Sequence, residues 1–290
     1  MNKVFCVANT NDILGEVPIW DEQTSHLWWT DVFRPALHRL DVSNGHVATW
    51  VPPDKIHSFA LRKKGGLLIA GRKGIAFYRP ETDKYSLLSD PCSAAQNTML
   101  NDGRTDRTGA FWVGSMDIEA NKPIGKIFRM SGALNIQSMA DSIVLANGLA
   151  TSPDGRTLYY ADSIPKIIYA FDLEPVSGMI SNKRVFADTS NVPGIPDGAT
   201  VDSEGCLWSA RFDGARVIRY APDGRVISEI MLPVSRVTSC TFGGDDLKTL
   251  YITSALFRLS DAQRALEPMA GCLFATKVPV AGLLDNKFEG

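Results

Sequence analysis

The sequence has no apolar run approaching the ~18 residues of a membrane-spanning helix. Its opening stretch, MNKVFCVANTND, lacks the apolar core of a signal peptide. No membrane partner and a cytoplasmic location are therefore expected. Cysteine is sparse: the five residues Cys6, Cys92, Cys206, Cys240 and Cys272 are scattered and never in C-x-x-C spacing. That excludes a cysteine-rich zinc site and fits reduced thiols. Cys6, Cys206, Cys240 and Cys272 fall in strand patterns and are expected to be small buried hydrophobes. Histidine is just as scarce. None of the four (His26, His38, His46, His57) pairs with another at ligand spacing, so a histidine-rich catalytic zinc site is not expected. There is no G-x-S-x-G nucleophile motif. The net charge is −2 with no basic patch, which leaves nucleic acid without a footprint. Linkers, low-complexity segments and helical periodicity are also missing.

What is present is a repeat. A turn is followed by Leu or an aromatic, then by aromatic or aliphatic and small residues. The pattern appears as HLWWTD (26–31), GLLIAG (66–71), AFWVGS (110–115), TLYYAD (157–162), CLWSAR (206–211) and TLYITS (249–254). The aligned starts, 27, 67, 111, 158, 207 and 250, lie 40, 44, 47, 49 and 43 residues apart. A four-stranded propeller blade takes about 40–50 residues. Each unit has a further strand, such as ALHRLD (36–41) or KIIYAFD (166–172), and preceding strands end in tight turns such as ATSPDGR (150–156) and TVDSEGC (200–206). The six units tile residues 1–290 as one all-β domain. The expected fold is a six-bladed β-propeller with four-stranded antiparallel blades around a central channel. The early strand KVFCVAN (3–9) is expected to complete the last blade. Trp29, Trp112, Tyr159 and Trp208 are expected to be core between blades.

Ten or eleven residues upstream of each aligned start stand Glu16, His57, Asn101, Asn147, Asp197 and, in the last unit, Ser239 or Cys240. Each innermost strand begins there. Polar side chains converging on one axis are costly to desolvate unless something binds them. A cation or a polar ligand is the simplest occupant. Two carboxylates and amide oxygens are hard donors, suited to Ca²⁺, Mg²⁺ or Mn²⁺, with Fe²⁺ or Zn²⁺ possible.

The stretches LGEVPIWD, LNDGRTDRTGAFWVGSMD, NGLATSPDGRTLYYADS, IYAFDL, PDGATVDSEGCLW and FGGDDLKTLYITSA occur in this order along the chain. In that order the chain resembles the gluconolactonase, regucalcin and senescence-marker-protein lactonase family. The resemblance implies a propeller with one divalent cation in the channel mouth. The ligands it implies are Glu16, Asn147 and Asp197. Asn101 and Glu119 match polar positions near substrate. Met99 departs from the pattern: some members carry an arginine there that grips substrate hydroxyls, so their sugar specificity does not carry over.

The implied activity is metal-dependent hydrolysis of a sugar lactone to the aldonic acid, with Asp197 as ligand and general base. The residues alone do not separate Asp197 from Glu16, Glu119 or a hydroxide on the cation. A second reading is a non-catalytic calcium-binding or partner-binding scaffold. The expected substrate is a neutral polyol lactone, met by Asn101, His57, Arg72 and Glu119. His57 is assigned to substrate, not metal, because three ligands are already matched. The expected assembly is a monomer or weak homo-oligomer.

Overall fold

Short runs rich in β-branched and aromatic residues, each bounded by Asp- and Gly-containing turns, satisfy a strand much better than a helix. The computed structural model describes residues 3–95 and 97–290, and its strands form six four-stranded antiparallel sheets. It is a six-bladed β-propeller. Five blades use four consecutive strands each. The sixth takes three strands from the end of the chain and its outer strand, Phe5–Ala8, from the beginning, with Cys6 opposite Phe274 and Phe5 opposite Ala275. The early strand thus has the place expected for it.

The chain divides into two compact units. One comprises Met1–Val51 and Asn191–Leu284 and holds the first, fifth and sixth blades. The other comprises Pro52–Ser190 and Asp285–Gly290 and holds the second, third and fourth. In the second unit the tail is structural. Phe288 is fully buried among Ala60, Leu68, Phe111 and Val113, and Arg104 Nη1 meets Asp285 Oδ1 at 3.1 Å. The sequence pattern did not mark that tail, because it lies outside the repeat.

The aromatic repeat residues are core, as expected: Trp29, Trp112, Tyr159 and Trp208 are all buried. The indoles of Trp112 and Trp208 are anchored by turn acids. Asp202 Oδ1 accepts the backbone N–H groups of Glu204 and Cys206 at 2.9 and 3.0 Å, closing the turn. Its Oδ2 accepts Trp208 Nε1 and Arg219 Nε, each at 2.8 Å. Asp106 repeats the device with Thr108, Ala110 and Trp112. The turn that follows Asp202 places Gly205 at φ +80°, a conformation that favours glycine. Cys206, Cys240 and Cys272 are buried, but Cys6 is exposed. Its strand is the outer edge of a blade, where only Ala8 is covered.

Asp202 is wholly buried and holds several donors at once. Asp202→Ala would leave the Arg219 guanidinium and the Trp208 N–H without it. The expected loss is on the order of 3 kcal/mol, read as a lower urea midpoint. An unchanged midpoint would contradict this role.

Candidate functional site

In all six blades, pairing between the first and second strands breaks near the start of the first strand. The register shifts between Glu16 and Ile19, Ile56 and Ser58, Leu100 and Gly103, Asn147 and Ala150, Pro196 and Ala199, and Val237 and Ser239. Such irregularities bend a strand and re-aim its side chains. The predicted polar residues sit at these breaks. Glu16 and Asn147 are the last paired residues before them. His57, Asn101 and Asp197 are the first residues inside them. Directly after Glu16 and Asn147 the backbone turns left-handed, with Val17 at φ 48° and Gly148 at φ 59°. For a β-branched residue such as Val17 that conformation is strained.

The last blade corrects one expectation. Its break contains Thr238, not Ser239 or Cys240. Thr238 is 12 residues before Leu250, one or two more than the spacing in the other blades. Its Oγ1 donates to the carbonyl of Gly15 at 2.6 Å, fixing the residue before Glu16. Ser239 lies against Gly198, where an added Cβ would fall 2.2 Å from the serine Oγ. Cys240 belongs to the apolar core.

In the second unit the first strands of neighbouring blades are tied side by side. His57 is buried, and its Nδ1 lies 2.7 Å from the Leu100 carbonyl. A carbonyl can only accept, so Nδ1 carries the proton and Nε2 is left as an acceptor. Ser58 Oγ donates to the Asn101 carbonyl at 2.7 Å. Asn101 Nδ2 donates to the Ala146 carbonyl at 3.0 Å and to Asn147 Oδ1 at 2.7 Å. Asn147 Nδ2 donates to Ser163 Oγ at 2.9 Å. Both amide NH₂ groups are thus used within the protein. Asn101 Oδ1 and one lone pair of Asn147 Oδ1 stay available to a ligand.

Asp102, which the repeat does not single out, ties the third and fourth blades. Its Oδ2 accepts the Leu149 N–H at 3.1 Å. Desolvation raises its carboxyl above the usual range, against the Arg104 charge and the amide hydrogen bonds.

At the same end of this unit lie the other predicted substrate residues. Gly71 pairs with Ile56, so Arg72 emerges beside the start of the His57 strand, with its N–H on the Lys55 carbonyl at 3.3 Å. Its guanidinium reaches across to Met99, with Nη1 3.9 Å from the sulfur. Glu119 is exposed in the turn after Phe111–Asp117, whose last residue pairs with Thr98. That turn is held by Asp117 Oδ2, which accepts the N–H groups of Asn121 and Lys122, each at 3.0 Å.

In the first unit, Asp197 is buried and Glu16 half-buried. Arg211, fully buried and opposite Pro196, was also missed by the sequence reading. It donates to the carbonyls of Val192, Pro193 and Gly194 at 3.2, 3.3 and 2.9 Å. These bonds fix the approach to Asp197. An arginine inside the apolar strand CLWSAR was the available signal.

The donor chemistry fits a hard divalent cation. Glu16 and Asp197 offer carboxylate oxygens, and Asn147, with its nitrogen tied to Ser163, offers an oxygen. Among the described residues there is no group of three or more His, Cys, Asp and Glu suited to a metal.

A family model described as SMP-30/Gluconolactonase/LRE-like region matches residues 14–256. The chain is 39% identical to a 6-deoxy-6-sulfogluconolactonase of Pseudomonas putida, with 100% of both chains covered. It is 32% identical to an L-arabinolactonase of Azospirillum brasilense, covering 98% of this chain and 95% of the relative. A solved structure from Agrobacterium tumefaciens, titled as a calcium-binding protein, regucalcin, matches with a TM-score of 0.94 at 27% identity, covering 99% of this chain and 97% of that one.

Burial lowers the His57 pKa from 6.5 to about 4, more than its bond to Leu100 can offset. The unfolded chain therefore binds the extra proton first as pH falls. Stability from neutral His57 is fully present above pH ~6.5 and is lost on acidification towards pH ~4. Between pH 7 and 4.5 the wild type should lose roughly 2 to 3 kcal/mol more than His57→Gln, measured by urea denaturation. Equal losses in the two proteins would contradict a buried neutral imidazole.

Proposed function

Because the chain belongs to the SMP-30/gluconolactonase/LRE-like family, we propose that it hydrolyses the ring ester of a sugar lactone. In this reading Glu16, Asn147 and Asp197 hold one divalent cation. The observation that carries it is the repeated break in strand pairing. It puts an oxygen donor at equivalent places in the first and fourth blades, just before the break, and inside the break in the fifth. The orientation of Asn147 supports it, since Ser163 takes the amide nitrogen. The relatives named for sugar-lactone hydrolysis support the reaction class.

A bound divalent cation would supply Lewis acidity toward the lactone carbonyl. The protein's side chains do the rest. The carboxylates of Glu16 and Asp197 balance the charge of a dication. Asp197 takes a proton from water as the water oxygen bonds to the lactone carbon. The bond from that carbon to the ring oxygen then breaks, and the ring oxygen takes the proton from Asp197. Neutral His57, through Nε2, and Asn101, through Oδ1, accept hydroxyl groups of the sugar. Both are preorganised by bonds to the adjacent blade, so orienting the substrate costs little rearrangement.

The product is an acid, so turnover can be followed as proton release. A panel should contain glucono-1,5-lactone, arabinono-1,4-lactone and a 6-sulfonated gluconolactone, the last because of the Pseudomonas putida relative's name. At least one should be opened, and a chelator should abolish turnover until Ca²⁺, Mn²⁺, Mg²⁺, Fe²⁺ or Zn²⁺ is restored. Asp197→Ala should lower kcat by about 10³-fold or more and release the bound cation. Full activity in chelator would refute the metal role. A metal-loaded protein that opens no lactone would favour a calcium-binding scaffold.

A further inference from the structure

We infer that the lactone this chain opens carries an anionic substituent, a sulfonate or phosphate, and that Arg72 is the residue that grips it. The inference rests on the proposed lactonase reading and specifies the substrate class of the same site.

The charged side chains around the start of the second blade are not equivalent. Asp54 is buried, and its two oxygens are taken by the N–H groups of Lys55 and Lys73, each at 2.8 Å. Lys73 Nζ is bound to the Pro53 carbonyl at 2.8 Å. Arg72 is exposed, and among the described residues the polar partner of its guanidinium is a thioether, the sulfur of Met99. Elsewhere the guanidinium groups of Arg104, Arg129, Arg216 and Arg219 are matched by carboxylates. Among the described residues Arg72 has no such counter-ion.

The position of this cation matters more than its exposure. Arg72 follows the strand end that pairs with Ile56, and Met99 belongs to the strand carrying Asn101. The guanidinium therefore lies across the gap between the strands that present His57 and Asn101. Its charge is felt at His57. Both neighbouring ligand-facing groups are neutral acceptors suited to hydroxyls, so neither competes for an anion. The Met99 sulfur meets Nη1 of the guanidinium without neutralising it. Glu119 lies in the turn after the paired strand of the third blade. Its carboxylate disfavours an anion on that side and leaves the Arg72 side for it. A planar guanidinium matches sulfonate and phosphate oxygens in a bidentate manner, which an ammonium cannot do.

The test compares kcat/KM on glucono-1,5-lactone, 6-phosphoglucono-1,5-lactone and 6-deoxy-6-sulfogluconolactone with the metal-loaded full chain. The wild type should prefer at least one charged lactone over the neutral one by 10-fold or more, and 0.5 M NaCl should narrow that gap. Arg72→Met should reduce the preference at least 10-fold, mainly through KM, with a smaller fall on the neutral lactone. Arg72→Lys should keep part of the preference, more for phosphate than for sulfonate. The two charged substrates separate the possible anions. A wild type that prefers gluconolactone, or an Arg72→Met variant that loses all three activities equally, would overturn the inference and leave the lactonase reading standing. A protein that opens none of the three would overturn both.

Discussion

A polar side chain at the start of a buried strand is tolerable only if its hydrogen bonds are made elsewhere. In the second unit they are made sideways, from blade to blade. Ser58 reaches Asn101, Asn101 reaches Asn147, and Asp102 reaches Leu149. The interrupted pairing of each first strand makes this possible, because it frees one or two residues from the sheet and re-aims the side chains around the break. The same bonds hold the blades together and leave specific atoms unused. Asn101 Oδ1, the second lone pair of Asn147 Oδ1 and His57 Nε2 are all acceptors. A site lined with preset acceptors suits a hard cation and sugar hydroxyls.

The outer turns hold the scaffold rigid around this arrangement. Asp106 and Asp202 close their turns and anchor a tryptophan between blades. Arg211 does similar work on the ligand side, holding three carbonyls of the segment that leads to Asp197. On the proposed reading Asp197 takes and returns a proton, which needs a fixed position, and these bonds to the preceding segment favour one. Arg72 contrasts with these residues. It is exposed and has no carboxylate partner among the described residues, and on the inference drawn above its charge selects the substrate.

Much of this was legible in the sequence because a repeat states the same constraint several times. Tryptophans and tyrosines at blade spacing marked the fold, and the polar residues upstream of them marked Glu16, His57, Asn101, Asn147 and Asp197. Counting failed in the sixth blade, where a longer connection moves the break to Thr238. Cys6 was misjudged because a strand pattern does not say which strand is an edge. Asp102 and Arg211 were missed because each looks ordinary locally, both lying in strands. Their roles come from partners far along the chain. The tail at Phe288 lies outside the repeat, and no periodicity announces it.

The central claim is that Glu16, Asn147 and Asp197 share one cation. Anomalous diffraction from crystals grown with Mn²⁺ addresses it directly. The account predicts one strong peak, with the Glu16 and Asp197 carboxylates and Asn147 Oδ1 about 2.0–2.4 Å away. A fully active protein whose crystals show no peak at these residues, or a peak held by other side chains, would contradict it.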